Sequence, residues 1–273
     1  MKRLARSTVG EPLVGDREGF VPLASLDAGL RTMDDALAMA PSGLPPIESA
    51  SATRTPATGI SFGVPVDQPP QLWGIGLNYR EHAADLDESR PSAPASFLQP
   101  PGVLRGPGGP IQLPPESVVS TPTAEAELGV VIGRQCRNVQ PEDAHQVIAG
   151  YVVAIDVTAE AIIRENPRFL TRSKQFDSFL IVGPEIHCPE GENIDIDAWT
   201  IRTIHGTDVV AEAAVSAAQF SPADIVASLS QSTTLDPGTI IITGTPGAVP
   251  IESGDQVRAE IDPIGSVMAH VTR

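Results

Sequence analysis

Two glutamates and one aspartate lie where carboxylates are unusual, inside stretches that predict buried strands. Glu125 and Glu127 begin an apolar, β-branched run that ends at Gly133, and Asp156 lies alone among the aliphatic residues of 151–157. Side chains alternate along a strand, so the two glutamates project from one face, about 7 Å apart. Carboxylates that close repel each other and lose hydration, so one takes up a proton unless a cation lies between them. The three acids therefore predict a site for Mg²⁺ or Mn²⁺, with open positions for water and substrate.

A second interpretation of these acids needs no metal. In it, Glu125 and Glu127 lie on a solvated sheet face, and Asp156 is a turn residue at the end of a strand. The spacing alone does not decide between the two interpretations.

A histidine and an aspartate follow an earlier buried strand. Leu72 to Gly76 predicts that strand, and residues 78–86 predict a helix with Asn78 as its N-cap. His82 and Asp85 are three residues apart, so they share a helix face and can form a hydrogen bond. An imidazole held by a carboxylate is a general-base pair, whereas the alternative is a surface ion pair on an exposed helix.

Lysine is rare in this chain, and one of its two lysines lies in a motif of interest. The 18 basic residues include only Lys2 and Lys174 as lysines, and Lys174 lies within the run 171–179. A lysine ammonium is a compact charge with three donors, which arginine does not replace where that geometry matters. The alternative is that a lysine stands at position 174 by chance.

Composition limits the class of protein. The chain has 273 residues, 41% of them hydrophobic, and a formal net charge of −16. The negative charge argues against nucleic acid and anionic membranes as partners, although a bound dication permits an anionic substrate. We find no apolar run of membrane-spanning length and no secretory signal, so a cytoplasmic location is expected. Cys136 and Cys188 are expected to be buried thiols and fit no zinc spacing.

The elements that position these side chains divide the chain into two predicted parts. A short strand at 20–24, a helix over 26–39 and a stretch rich in proline, serine, threonine and glycine predict a small N-terminal domain and linker over 1–68. Residues 69–273 are predicted to form the larger domain. Within it, helices are expected over 141–149 and over 222–230, the latter with Ser221 as its N-cap.

Five segments of the chain together resemble the fumarylacetoacetate hydrolase family, most closely its small bacterial and acylpyruvase-like members. The segments are 76–82, 125–133, 150–158, 173–179 and 234–246, and they occur in the family's order. The resemblance covers roughly residues 70 to 273, because the first 68 residues are similar only to the family's variable N-terminal region. It implies a β-rich α+β fold with a mixed β-sheet roll and a small N-terminal domain, commonly as a homodimer.

The resemblance also assigns roles to residues. It implies a Mg²⁺ ion, with Mn²⁺ or Ca²⁺ as alternatives, bound by Glu125, Glu127 and Asp156. It makes His82, oriented by Asp85, the base that activates a water molecule. The remaining implied site residues are Lys174 in catalysis, and Tyr79, Gln99 and Thr245 in substrate binding.

The implied reaction is metal-dependent hydrolysis of a C–C bond in a 2,4-dioxo acid, a small-molecule substrate. The keto acid would chelate the metal, His82 would draw a proton from the attacking water, and the metal with Lys174 would stabilise the resulting enolate. The alternatives are decarboxylation, keto–enol isomerisation or another lyase reaction of a 2-oxo acid, or a repurposed relative in a specialised biosynthetic pathway.

The chain departs from the family's pattern at several positions. Asp85 stands where relatives usually carry glutamate, Gln99 where lysine is common and Glu160 where arginine is common. His205-Gly-Thr-Asp replaces the usual Asn-Gly-Glu followed by glutamine, and no glutamine lies nearby. The expected substrate contacts thus lose two cations and an amide, which favours a less charged or bulkier substrate than a standard dicarboxylic acid.

Overall fold

The structure is a computed structural model, and it describes residues 1–27, 29–79, 91–189 and 194–273. In chain order its strands are β1 (Lys2–Arg6), β2 (Pro12–Asp16), β3 (Gly19–Pro22), β4 (Leu72–Gly76), β5 (Ala95–Leu98), β6 (Leu104–Arg105), β7 (Ile111–Gln112), β8 (Pro122–Ile132), β9 (Ile148–Ala159), β10 (Leu180–Val182), β11 (Glu185–Cys188), β12 (Thr200–His205), β13 (Asp208–Ala214), β14 (Ile240–Ile242), β15 (Ala248–Pro250), β16 (Gln256–Asp262) and β17 (Gly265–Thr272). The α-helices are α1 (Met33–Met39), α2 (Glu160–Glu165), α3 (Leu170–Lys174) and α4 (Pro222–Ser232).

Two sheets organise the described residues. A 12-stranded sheet has the main order β3-β2-β1-β11-β9-β8-β14-β4-β5, with β6, β10 and β15 paired beside it. A 5-stranded sheet has the order β13-β12-β16-β17-β7. Most pairs are antiparallel, but β14 and β4 run parallel, as do β10 with β6 and β17 with β7. The predicted β-rich α+β fold with mixed sheets is confirmed.

The long antiparallel pair β8 and β9 lies at the centre of the large sheet, and every residue of both strands is buried. Both faces of the pair are therefore covered, and most of its side chains are apolar, as expected for a sheet covered on each side. One face carries Ala126 and Leu128 into a core shared with Ile201 and Ala259 of the small sheet. Glu125 and Glu127 project from the opposite face because side chains alternate along β8.

That opposite face packs against the N-terminal region. Leu4, Val14 and Leu37 share one hydrophobic core with Val152 and Val182 of the large sheet. In addition, β1 pairs with β11, so β1, β2 and β3 extend the large sheet. The two-domain division at residue 68 stays a prediction. Nevertheless, one hydrophobic core and the hydrogen bonds between β1 and β11 join residues from both sides of residue 68.

Two of the predicted helices are wrong in extent or type. The helix predicted over 26–39 begins only at Met33, because Thr32 and Asp35 form a capping box there. The segment predicted as a helix over 141–149 is a 3₁₀ helix over Pro141–Gln146, and Ile148 already belongs to β9. The predicted cap of α4 is confirmed, since Ser221 and Asp224 form a second capping box.

The helix predicted over 78–86 falls almost entirely outside the described residues, which resume at 91. Asn78 itself is buried, and its side chain joins two other segments. Its Nδ2 donates to the carbonyl oxygens of Thr243 (2.7 Å) and Phe220 (3.0 Å), and its Oδ1 accepts from the Phe220 N–H. None of the helices within the described ranges is long and apolar enough to span a membrane.

Candidate metal centre and active site

Three carboxylates converge at one end of the β8–β9 pair. The register places Glu125 directly opposite Asp156, and Glu127 follows two residues along the same face of β8. One carboxylate oxygen from each of the three lies within 4.8 Å of the other two. Glu125, Glu127 and Asp156 are only 5%, 3% and 1% exposed. The interpretation of a solvated sheet face is therefore wrong.

Lys174, at the end of α3, brings a buried ammonium to these acids. Its Nζ lies 3.0 Å from Glu125 Oε2 and 2.6 Å from Asp156 Oδ2, so one lysine bridges the two strands. The same Nζ lies 5.8 Å from the centre of the Phe97 ring on β5. A lysine with a compact charge and three donors suits this position.

Each carboxylate also accepts a hydrogen bond from a neutral donor. Thr158 Oγ1 donates to Glu125 Oε1 at 2.7 Å, and the Gly244 N–H donates to Glu127 Oε2 at 2.5 Å. Gln99 Nε2 donates to Asp156 Oδ1 at 3.0 Å. Such partners fix the orientation of metal ligands, and their loss typically weakens metal binding.

Burial and charge set the protonation of the site. Burial, followed by the negative charge of Asp156, raises the pKa of Glu127 well above its usual value. Burial likewise raises the pKa of Asp156, although the ammonium of Lys174 opposes the shift. Burial lowers the pKa of Lys174, but the charges of Asp156, Glu125 and Glu127 outweigh it and keep the pKa above its usual 10.5. Lys174 is therefore charged, and Glu127 takes up a proton readily when no further cation is present.

The donor set fits a divalent cation. Three carboxylates face one ammonium, so the fully ionised cluster carries an excess of two negative charges in a buried site. A dication with oxygen ligands, such as Mg²⁺ or Mn²⁺, would compensate this excess. Glu125, Glu127 and Asp156 are the residues that would hold it.

The other predicted site residues have different outcomes. Tyr79 is buried and close enough to Glu127 that burial and the charge of that carboxylate raise the pKa of its phenol. The Thr245 hydroxyl donates to the carbonyl oxygen of Gly247, 3.0 Å away, so its role in substrate binding stays a prediction. His82 and Asp85 lie outside the described residues.

Three supporting residues were not predicted from the sequence. Thr158 lies two residues after Asp156 and so on the same face of β9, which is a signal that spacing offers. Gly244 follows the strand β14 and has a positive φ of 98°, typical of a glycine in a tight turn. Phe97 carries no local signal, because only the pairing of β5 with β4 brings its ring to Lys174.

Most of the chain matches the model of one protein family. The model described as fumarylacetoacetate (FAA) hydrolase C-terminal matches residues 71–272. The chain belongs to this family. The match contains the three carboxylates, Lys174 and Gln99, so the whole site lies in the part of the chain that defines the fumarylacetoacetate hydrolase family.

Relatives in the family carry several enzyme names. A rat mitochondrial oxaloacetate tautomerase is 30% identical over 281 residues, which cover 96% of this chain and 88% of the relative. The structure of a 5-carboxymethyl-2-hydroxymuconate delta-isomerase from Mycobacterium smegmatis aligns with a TM-score of 0.80 and 29% identity, covering 99% of each chain. A maleylpyruvate hydrolase from Sphingobium sp. SYK-6, in complex with manganese(II) and pyruvate, aligns with a TM-score of 0.80 and 26% identity over 99% of this chain and 98% of its own. The family of this chain thus includes tautomerases, isomerases and hydrolases.

Proposed function

We propose that this chain is a divalent-metal-dependent enzyme that converts a 2-oxo acid through its enolate. The observation that carries the proposal is the buried convergence of Glu125, Glu127 and Asp156 around the single ammonium of Lys174. The relative from Sphingobium crystallised with manganese(II) and pyruvate supports it, since pyruvate is a 2-oxo acid. When bound, a divalent cation supplies Lewis-acid polarisation of the substrate's oxo group and a docking point for its carboxylate.

The residues of the chain prepare the site for this chemistry. Thr158 and Gly244 hold the glutamates by donating to one oxygen of each. The second oxygen of Glu125 accepts from Lys174. Lys174 keeps its positive charge beside the carboxylates and adds a fixed favourable field for negative charge that develops on the substrate. Low exposure of the cluster strengthens each of these interactions.

The first specific reaction we propose is hydrolysis of a C–C bond in a 2,4-dioxo acid. In it, His82, oriented by Asp85, takes a proton from the attacking water, and the departing fragment leaves as an enolate that is then protonated. The role of His82 rests on the sequence motif, and the alignment with a maleylpyruvate hydrolase supports a hydrolytic reaction.

The second candidate is keto–enol tautomerisation of a 2-oxo acid. It is favoured by the oxaloacetate tautomerase that aligns with 96% of this chain. It needs the same stabilisation of an enolate but no attacking water. The two reactions therefore differ in their dependence on a water-activating base.

One experiment separates these reactions. The purified chain with Mg²⁺ or Mn²⁺ is assayed on an acylpyruvate for C–C cleavage and on oxaloacetate for the decay of the enol absorbance. For hydrolysis, His82→Ala should lower cleavage by roughly 10²- to 10⁴-fold, while metal-dependent thermal stabilisation persists.

His145→Ala, which alters an exposed histidine bonded to the Glu142 carbonyl, is the matched control and should be active. Undiminished cleavage in His82→Ala would contradict the water-activating role. Failure of the wild type on both substrates would contradict the proposed function.

We further propose Mg²⁺ as the resident ion, a cytoplasmic location and a homodimeric assembly. Metal analysis of the protein as purified and analytical ultracentrifugation test the first and last of these. A tightly bound Ca²⁺ or a monomer over the micromolar range would contradict them.

A further inference from the structure

The side chain of Asn78 binds the peptide group that donates to one carboxylate of the site. Asn78 is 2% exposed, and its Nδ2 donates to the Thr243 carbonyl oxygen at 2.7 Å. The Gly244 N–H belongs to the same peptide group and donates to Glu127 Oε2 at 2.5 Å. In a planar trans peptide the C=O and the N–H point in opposite directions. One rigid peptide group therefore lies between the Asn78 amide and the Glu127 carboxylate.

The orientation of this peptide group depends on its hydrogen bonds. Gly244 has a positive φ of 98°, and a residue without a Cβ adopts positive and negative φ about equally well. If the peptide plane rotated, its carbonyl oxygen would turn towards Glu127, and two acceptors would meet. The hydrogen bond from Asn78 opposes this rotation. It also polarises the peptide group, so that the Gly244 N–H becomes a stronger donor.

Asn78 is itself held in place by the segment that precedes α4. Its Nδ2 also donates to the Phe220 carbonyl oxygen at 3.0 Å, and its Oδ1 accepts from the Phe220 N–H at 2.9 Å. The Gln219 N–H donates to the Asn78 carbonyl oxygen at 2.7 Å. Both ends of the side-chain amide have partners, which fixes the positions of its nitrogen and its oxygen. Asn78 also packs directly on Gly244, where an added Cβ would lie 2.8 Å from Asn78 Cβ.

We propose that Asn78 is a positioning residue for the metal centre, and that it acts on Glu127 through the peptide group of Thr243 and Gly244. It keeps the Gly244 N–H on one oxygen of Glu127, so the carboxylate is oriented before a metal binds. The inference rests on the proposed function, because that function makes Glu127 a metal ligand. Loss of the partners that orient a ligand typically weakens metal binding by about 10- to 100-fold.

The test replaces Asn78 by leucine, which has a similar shape and no hydrogen-bonding group in its side chain. Isothermal titration calorimetry with Mg²⁺ and with Mn²⁺ measures the affinity for metal. The NMR resonance of the Gly244 amide, in ¹⁵N-glycine-labelled protein without metal, reports the hydrogen bond to Glu127. Asn166→Leu is the control, because Asn166 Oδ1 accepts from a backbone N–H at the start of the 3₁₀ helix over Pro167–Phe169.

We expect Asn78→Leu to weaken metal binding by roughly 10- to 100-fold. The Gly244 amide proton should move upfield as its hydrogen bond to Glu127 lengthens, and Asn166→Leu should alter neither quantity. A folded Asn78→Leu protein with unchanged metal affinity, or with an unmoved Gly244 resonance, would overturn the role of Asn78 while the proposed function stands. Asn78→Ala takes its place if the leucine variant does not fold.

The wild type provides a test that needs no variant. Its Gly244 amide proton should resonate downfield of an amide bonded to water, because it donates to a buried carboxylate. A resonance at the position of a solvent-exposed glycine would overturn the role of Asn78. Binding of neither Mg²⁺ nor Mn²⁺ by the wild type would overturn the proposed function together with it.

Discussion

At the scale of single residues, the site is a small group of buried charges that constrain one another. Lys174 compensates the charge of one of three carboxylates, and hydrogen bonds from Thr158, Gly244 and Gln99 fix the orientation of the acids. Removing any charged member leaves the remaining charges uncompensated in a medium of low dielectric constant, and such changes are costly.

Glu127→Gln is expected to remove most of the thermal stabilisation that Mg²⁺ or Mn²⁺ gives the chain. The metal-free site holds a proton because the pKa of Glu127 is raised well above its usual 4.5. A metal must displace this proton, so the metal affinity rises as the pH rises towards the raised pKa.

The metal-free folded chain also binds more protons than the unfolded chain in that range. Glu127 therefore makes the free energy of unfolding fall as the pH increases above about 4.5. Titration calorimetry and thermal melting across pH check both effects.

The control for this variant is Glu142→Gln, which neutralises an exposed glutamate in the 3₁₀ helix over Pro141–Gln146. It should keep the metal-dependent shift and its dependence on pH. An equal metal-dependent shift in Glu127→Gln would show that this carboxylate is not a ligand.

Lys174→Met is expected to destabilise the metal-free chain by about 3 to 5 kcal/mol, because it removes the buried partner of Glu125 and Asp156. With metal bound, the turnover number should fall by roughly 10²- to 10³-fold, since a fixed positive charge near the developing enolate is lost. Urea unfolding and steady-state kinetics measure these changes. Arg172→Met, in the same helix but half exposed, is the control. An unaltered free energy of unfolding in Lys174→Met would contradict the ion pairs described above.

At the scale of secondary structure, pairing of strands brings together residues that are far apart in sequence. β8 and β9 place Glu125 opposite Asp156, and β4 with β5 place Gly74 opposite Phe97. The Phe97 ring occupies the space above Gly74 and extends to the Lys174 ammonium. Because Gly74 has no side chain, it leaves the space that the Phe97 ring needs to lie beside the Lys174 ammonium.

Gly74→Ala is expected to lower the free energy of unfolding by about 1 to 3 kcal/mol, as overpacking does. A Cβ at Gly74 would lie 2.2 Å from Phe97 Cζ, so the ring must move away from its place near Lys174. Turnover should fall as well, because the ammonium loses its support. Gly76→Ala is the matched control in the same strand, where the added Cβ meets Leu170 Cδ2 at an ordinary 3.6 Å. Equal stability of the two variants by chemical denaturation would contradict the steric account.

At the scale of the whole molecule, the N-terminal region and the site share one face of the large sheet. Leu4 and Leu37 pack with Val152, and β1 pairs with β11 next to the central strands. Beyond the carboxylates and their threonine neighbours, this face is apolar where residues from the first part of the chain cover it. Loss of this cover would expose a large apolar surface.

Deletion of residues 1–68 is expected to give a fragment, 69–273, that does not melt cooperatively. The deletion removes three strands and half of a hydrophobic core, and the remaining sheet would gain an open edge at β11. Circular dichroism and limited proteolysis provide the measurement, and co-expression with a separate fragment 1–68 is the control that should restore folding. A cooperative transition with intact metal binding in 69–273 alone would instead support an independent N-terminal domain.

The sequence by itself determined the chemical character of the site. Alternation along a strand placed Glu125 and Glu127 on one face, and the apolar neighbours of Asp156 predicted its burial. The capping signal at Ser221 likewise predicted the start of a helix, because a cap depends on residues within one turn. These features are local, so the order of residues suffices to predict them.

Only the tertiary structure decided how the local features combine. The register of β8 against β9, the approach of Lys174 to Glu125 and the hydrogen bond from Gln99 to Asp156 depend on residues tens of positions apart. The end of the helix predicted over 141–149 was wrong for a related reason, since β9 takes its last residues. The late start of the first helix has a local cause, the capping box of Thr32 and Asp35. Pairing and burial over long separations depend on the free energy of the whole fold, which no local pattern encodes.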